Sequence, residues 1–413
     1  MKCCHRRDTC RLCGGRLLTR VISLTPTPPA NAFVPESEKD REQSCFPLDV
    51  FFCETCFHVQ LLDVVDPKVL FENYIYVSGT SPVFVNHFRQ YADSIIRHAG
   101  LSRPGLVVDV GSNDGTLLRF FKDAGHAVLG IDPARNIAEA ATASGIETLP
   151  AFFDSKLASE LRSKRGPAEI ICANNVYAHV DDLREFTTGV KNLLAPHGLF
   201  VFEVSYLVDV VAKVLFDTIY HEHLSYHSVM PLVRFFDSMN MELIEAVRID
   251  SHGGSLRGIA QLKGATRSVG KSVTEAIQHE RDVRLDESKT FVQMAGKINL
   301  LKSELMSLLT RLRREGKRIA GFGAPAKVTT LMYHFGLDAK IIDFIVDDSP
   351  MKQGLYTPGL HIPVLSPQAL YERRPDYALI LAWNFADSIM KKHETFLRSG
   401  GHFIIPLPEI KVV

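Results

Sequence analysis

From Leu101 to about residue 205 the chain alternates short apolar runs with amphipathic ones. LVVDV is followed by a glycine-rich turn and the helical LLRFFK stretch, then AVLGID, EIICAN, a further helix, and GLFVFEV. Apolar runs of this length, separated by helix-period segments, predict a parallel doubly wound α/β sheet. A second series of the same kind, RIAGFGAPAK, FIVDDSP, YALILAW and GHFIIPLP, predicts a second Rossmann-like α/β unit near the C-terminus. Residues 206–265 read as mixed helix and loop, with a polar cluster near Tyr220 and a glycine turn at His252-Gly253-Gly254-Ser255. Residues 268–315 are charged and poor in helix breakers, as expected of a long bridging helix or helix pair. Before the first series, an aromatic loop leads into a helix ending near Gly100. The pattern divides the chain into 1–68, 69–265 and 266–413.

Composition narrows the classes. With 413 residues, 46% hydrophobic, the chain can bury two or three cores, which excludes intrinsic disorder. Lys+Arg and Asp+Glu are both 47, so there is no broad cationic footprint, and a nucleic-acid partner is not expected. The most apolar long stretch, residues 198–216, carries Glu203, Asp209 and Lys213, whereas a membrane span needs about 20 largely uncharged residues. The opening MKCCHRRDTC has no apolar run behind its basic residues, so a cytoplasmic location and no membrane partner are expected. Nothing in the pattern sets an oligomeric state.

Seven of the eight cysteines lie at positions 3, 4, 10, 13, 45, 53 and 56, and the eighth is Cys172. Cys10-Arg11-Leu12-Cys13 and Cys53-Glu54-Thr55-Cys56 are two CxxC knuckles of the kind that wraps Zn²⁺ tetrahedrally, and disulfides seldom persist in a reducing compartment. Four thiolates close the coordination sphere, so the expected role of the zinc is structural. The span 14–52 is longer than in compact fingers and must fold as a long loop or small sheet. Neither pair opens a helix in a βαβ unit, as a thioredoxin-type redox pair would.

Val107-Val108-Asp109-Val110 runs into Gly111-Ser112-Asn113-Asp114-Gly115 and then a helix, a geometry that turns backbone amides toward a ligand. Asp132, followed by Pro133, ends the next strand, where an acidic side chain can accept ribose hydroxyls. NAD and S-adenosylmethionine both satisfy this arrangement. GSNDG in place of GxGxxG, the acidic Asp109 before the first glycine, and LLAPHGLFVFE after the fourth strand favour S-adenosylmethionine, since a carboxylate suits a sulfonium ligand and repels a pyrophosphate.

Tyr220-His221-Glu222-His223 is followed by Leu224-Ser225-Tyr226-His227. Methyl transfer to carbon needs a base that removes an α-proton beside a ketone and a donor that stabilises the enolate. Histidine, tyrosine and glutamate can act as base, donor and support. A structural polar network is one rival. A metal site is another, although His-Glu-His lacks the HExxH spacing that sets ligands on one helical face. Asn175 and His179 follow the fourth strand, where side chains reach the crevice over the glycine loop. Tyr74, Tyr76, Ser78, Thr80 and Ser81 form a hydroxyl-rich loop that could bind a polyol, a role an ordinary solvated turn matches equally well.

With CRLC, CETC, YIYVSGTS, DVGSNDGTLL, GIDPA, NNVYAHV, TIYHEHLSYHS and SHGGSLR in this order, the chain resembles the S-adenosylmethionine-dependent nucleotide-sugar C-methyltransferases, among them the mycarose 3-C-methyltransferases. The resemblance covers essentially the whole length. It implies a zinc module, a class I methyltransferase domain, a C-terminal Rossmann-like domain that helps hold the nucleotide sugar, and methylation at C3 of a dTDP-4-keto-6-deoxyhexose. Carried onto matching positions, His223 is the base and Glu222 and Tyr220 support it, with His179 and Tyr74 or Tyr76 lining the sugar. Asp109, Gly111, Asn113, Gly115, Asp132, Pro133 and Asn175 hold S-adenosylmethionine. Ser78, Thr80, Ser81, His252, Gly253, Arg257 and Lys327 are the candidate substrate contacts, Lys327 as a cation for the diphosphate in the loop Gly321–Lys327. Two other classes remain open at this level: an NAD-dependent sugar-nucleotide oxidoreductase using that second glycine loop, and a zinc-ribbon methyltransferase acting on another acceptor.

Overall fold

The computed structural model describes residues 3–71, 82–101, 103–251 and 253–413. Tyr74, Tyr76, Ser78, Thr80, Ser81 and His252 lie outside these described residues.

The central sheet has seven strands in the spatial order Met241–Ile249, Ser255–Leu262, Leu194–Ser205, Ala168–Asn174, Leu106–Val110, Ala127–Ile131 and Thr148–Leu149. The last five are mutually parallel. Helices cover both faces, so these strands read as continuous apolar runs, and Val107, Val108, Ile170, Ile171 and Val201 are fully buried. The parallel sheet expected over residues 101–205 is present, and the segment 206–265, expected as mixed helix and loop, is corrected because it adds two strands to one edge. Met241–Ile249 and Ser255–Leu262 form an antiparallel hairpin there, and its second strand runs antiparallel to Leu194–Ser205. The reversal uses Gly253 and Gly254 at φ 95° and 135°, and at Gly254 a Cβ would stand 2.2 Å from the Asp209 carboxyl carbon. Only glycine fits.

The span between the cysteine pairs folds into a sheet. Leu18–Thr27 pairs antiparallel with Phe46–Cys53, which pairs with Val59–Leu61. The fourth strand of this sheet, Ser225–Tyr226, comes from the segment that carries the polar cluster. Arg11 is buried under it and donates to Gln60 Oε1 and to the Leu61 and Leu224 carbonyls. Further along, Val34–Pro35 pairs with Leu355–Tyr356 of the C-terminal unit.

Helices Lys271–Asp282 and Ser288–Arg314 bridge the two α/β units. The longer one buries Phe291, Met294, Ile298, Leu301, Leu305, Leu309 and Leu312, a spacing of three and four that makes one apolar stripe. Glu280 of the shorter helix is fully buried and accepts from the amides of Val229 and Met230, which open the helix Val229–Ser238, and from the Tyr206 hydroxyl. Burial pushes its carboxyl up to about 7. The C-terminal sheet places Ile319–Phe322 between Ile345–Val346 and Tyr377–Ile380, so the strand order reverses there, the point at which open α/β sheets commonly take ligands. Among the described residues no helix is long and apolar enough to cross a membrane.

Candidate active site

The zinc ligands are local products of two tight turns. Gly14 at φ 73° and Phe57 at φ 72° close the knuckles, with the Gly14 amide donating to the Cys10 carbonyl and the Phe57 amide to the Cys53 carbonyl. Cys10 Sγ lies 3.6 Å from Cys56 Sγ, Cys13 Sγ lies 3.6 Å from Cys53 Sγ, and all four sulfurs are within 4.8 Å of one another. A tetrahedral site with Zn–S bonds of about 2.3 Å has sulfur–sulfur edges of about 3.8 Å, so these four residues fit the ion.

At the carboxyl end of Leu106–Val110 the chain turns through Gly111 at φ 72°, Asn113 at φ 50° and Gly115 at φ 75°. The Asn113 amide donates to Asp132 Oδ2 and the Ala134 amide, just past Pro133, donates to Asp132 Oδ1, so the carboxylate spans both loops with lone pairs to spare. Asp109 is buried behind them. Burial raises its carboxyl well above the usual range, and the nearby Asp132 adds to the effect. Asn175, at φ 55°, donates its amide to the Glu203 carbonyl. Around this end of the sheet several buried polar atoms have no protein partner: Ser112 Oγ, both polar atoms of the Asn174 amide, and His179 Nε2. Unpaired polar atoms at strand ends beside a glycine turn suit a polar nucleoside ligand.

The polar cluster separates into histidines of different character. His221 turns away, its Nε2 3.2 Å from the Phe46 carbonyl, and burial lowers it to about 4. His227 stacks on Tyr177 with centroids 5.4 Å apart, and burial also lowers it to about 4. His223 stays half-buried. Its Nδ1 is 2.8 Å from the Thr218 carbonyl and its Nε2 is 2.9 Å from the Tyr220 hydroxyl. A carbonyl can only accept, so Nδ1 carries the proton and Nε2 accepts from Tyr220. The His179 ring stacks on His223 with centroids 5.1 Å apart, and also on Phe71 at 5.7 Å and an interplanar angle of 7°. Burial, reinforced by His223, lowers His179 well below the usual imidazole range, so it is neutral at pH 7. Glu222 is buried, and Asn31 of the N-terminal module donates to its Oε1 at 2.9 Å. Nothing in the sequence pattern singles out Asn31 or Thr218.

The remaining candidates have protein partners. Arg257 binds Glu203 Oε1 through Nε at 2.7 Å and through a second nitrogen at 2.6 Å, and lies 4.5 Å over the Tyr91 ring. His87 Nε2 is 2.7 Å from the other Glu203 oxygen. Burial pushes the Glu203 carboxyl up, but His87 and Arg257 outweigh it and hold it below its ordinary value. Gly253 offers its carbonyl to Lys213. Lys327 points out of its glycine loop to Asp217 rather than standing free for an anion, at 3.3 Å.

Three family models divide the chain: a zinc binding domain matches residues 10–71, a methyltransferase domain residues 85–246, and a C-methyltransferase C-terminal domain residues 250–408. The C-methyltransferase NovU of Streptomyces niveus is 37% identical over 406 residues, covering 98% of this chain and 97% of that protein. The chain belongs to the C-methyltransferase family. It is an S-adenosylmethionine-dependent enzyme with a structural zinc module. Among solved structures, the magnesium protoporphyrin IX methyltransferase of Synechocystis with bound S-adenosylmethionine shares 14% identity and covers 44% of this chain and 82% of its own, with TM-score 0.33. The CcbJ methyltransferase of Streptomyces caelestis shares 13% identity and covers 43% and 90%, also with TM-score 0.33. The family assignment rests on the full-length relative.

Proposed function

We propose that this C-methyltransferase methylates C3 of a dTDP-linked 4-keto-6-deoxyhexose through an enolate, with His223 as the base. The observation that carries the reading is the His223 ring held between Thr218 and Tyr220 and stacked on a neutral His179. With its proton fixed on Nδ1, His223 offers an Nε2 lone pair that can take the C3 proton once the Tyr220 hydroxyl turns to the C4 oxygen. Tyr220 then donates to the developing oxyanion, while Glu222, held by Asn31, supports the turn electrostatically. His179, with Nε2 unpaired and neutral, donates to or accepts from a sugar hydroxyl without adding a second positive charge. S-adenosylmethionine, when bound, supplies the methyl group that the enolate carbon takes up.

The C-terminal unit offers a place for the nucleotide portion. A cavity of about 460 Å³ beside the segments that follow Tyr377–Ile380 and His402–Ile405 is lined by Trp383, Phe385, Asp387, Leu407 and Lys411, among others, and offers an exposed aromatic ring for a base and a cation for phosphate. The cofactor portion fits the loop at Gly111, where a Cβ would stand 2.2 Å from Val176 Cγ2. Gly111→Ala combines that clash with a left-handed backbone that disfavours alanine by roughly 1–2 kcal/mol. A loss of S-adenosylmethionine affinity of about tenfold or more is expected by titration calorimetry. An unchanged affinity removes Gly111 from the cofactor site.

The deciding experiment incubates a panel of dTDP-4-keto-6-deoxyhexoses with enzyme and methyl-labelled S-adenosylmethionine in D₂O and follows the products by NMR. The expected product shows a new methyl singlet at C3 with loss of the C3 proton. Methylation at C5, or no exchange and no methylation with any sugar, overturns the reading.

A further inference from the structure

The C-terminal domain reaches into the polar cluster at a place the proposed chemistry does not use. Asp217 is completely buried in the short helix Phe216–Thr218, ahead of His223 in the chain, and its Oδ2 accepts from Trp383 Nε1 at 2.6 Å and sits 3.3 Å from Lys327 Nζ. The Lys327 ammonium lies 4.0 Å over the Trp383 ring, so the cation is shared between a carboxylate and an aromatic face. Trp383 is the only tryptophan of the chain. Lys327 follows Ile319–Phe322 and Trp383 follows Tyr377–Ile380, so the two residues come from either side of the point where the C-terminal strand order reverses. From the adjacent helix Val328–Phe335, Thr330 Oγ1 donates to the Ile219 carbonyl at 2.7 Å.

These contacts flank one residue. Asp217 is held through its side chain and Ile219 through its carbonyl, and between them lies Thr218, whose own hydroxyl donates to the Leu215 carbonyl at 2.6 Å. A peptide group pinned on both sides has little freedom to rotate, and its oxygen is the one that receives His223 Nδ1–H. We infer that Lys327, Asp217, Trp383 and Thr330 are positioning residues. They hold the Thr218 carbonyl on His223 Nδ1 and so fix the imidazole tautomer in which Nε2 is the unprotonated nitrogen. The inference rests on the reading of His223 as the base. It assigns to the C-terminal domain a role in the methyl-transfer step itself, beyond holding the nucleotide. It also gives Lys327 a task other than the diphosphate contact expected from its loop: its charge balances a buried carboxylate, and a buried carboxylate without a counter-charge is costly to keep in place even with the Trp383 hydrogen bond.

The test uses the full zinc-loaded chain with ¹⁵N-labelled histidine, the His223 signals being assigned by their loss in His223→Gln. In the unaltered enzyme the ring nitrogens should report the Nδ1–H tautomer. In Lys327→Met the expected result is a shift toward a mixture of tautomers, with kcat lowered about 10²-fold, the scale of a lost acid–base contribution, and an unchanged KM for the nucleotide sugar. The reverse result, an unchanged tautomer and kcat with a raised KM, overturns the inference and makes Lys327 a diphosphate contact. Should Lys327→Met fail to fold, the neutral pair Asp217→Asn with Lys327→Met, and Thr330→Val alone, carry the same test, and unaltered ring-nitrogen signals in both sink the idea. The base assignment is judged separately. A His223→Gln enzyme turning over at the normal rate displaces the base, whereas the nitrogen signals of the Lys327 and Thr330 variants decide the positioning on their own.

Discussion

If His223 is the base, His223→Gln is expected to abolish detectable methylation and to leave S-adenosylmethionine binding at its normal strength. The glutamine amide can still span part of the gap between the Thr218 carbonyl and the Tyr220 hydroxyl, so the turn that carries the residue keeps its shape. It cannot take a proton. General acid–base catalysis accounts for about 10²–10⁴ of a typical rate enhancement. The loss here is at the upper end, because both other histidines of the cluster are turned elsewhere, His221 toward Phe46 and His227 onto Tyr177. Initial rates with labelled methyl donor, calorimetric titration of the cofactor, and solvent-deuterium exchange at the carbon beside the ketone read the three quantities separately. Exchange and methylation both at the normal rate would show that another group removes the proton.

Stripping the zinc, or replacing Cys53 with serine, is expected to unfold the N-terminal sheet and inactivate the enzyme. Structural zinc in small modules binds with apparent free energies of about 10–16 kcal/mol, and that binding energy is folding energy. Cys10, Cys53 and Cys56 are buried, and Cys53 ends the strand Phe46–Cys53 whose Phe52 packs on Phe291 of the bridging helix at 5.6 Å. The consequence travels to the active site through two contacts. Asn31 no longer holds Glu222, and Ser225–Tyr226 loses the strand Val59–Leu61 that it pairs with. Metal content by atomic spectroscopy, thermal unfolding and methylation rate should fall together. A metal-free protein with the original melting temperature and rate would make the cysteine cluster incidental.

Much of the architecture is legible in one dimension because its causes are local. The CxxC pairs bring sulfurs together through single turns, the buried parallel strands announce themselves as apolar runs, and the acidic residue after the second strand falls beside the glycine loop because strand and helix lengths put it there. The hairpin Met241–Ile249 and Ser255–Leu262 is harder to see. Its turn is read correctly as glycine-rich, but antiparallel pairing against Leu194–Ser205 depends on which sheet edge is left uncovered.

By itself the sequence determined the cluster of Tyr220, His221, Glu222 and His223, the glycine loop at Gly111 and the four zinc ligands, since each is set by residues a few positions apart. Only the tertiary structure decided which histidine stays accessible, that Asn31 reaches Glu222, and that Lys327 faces Asp217 beneath Trp383. Hydrogen bonds and charge pairs between distant segments are worth most where water is excluded, and which groups are excluded together is settled only when three separate units close on one another.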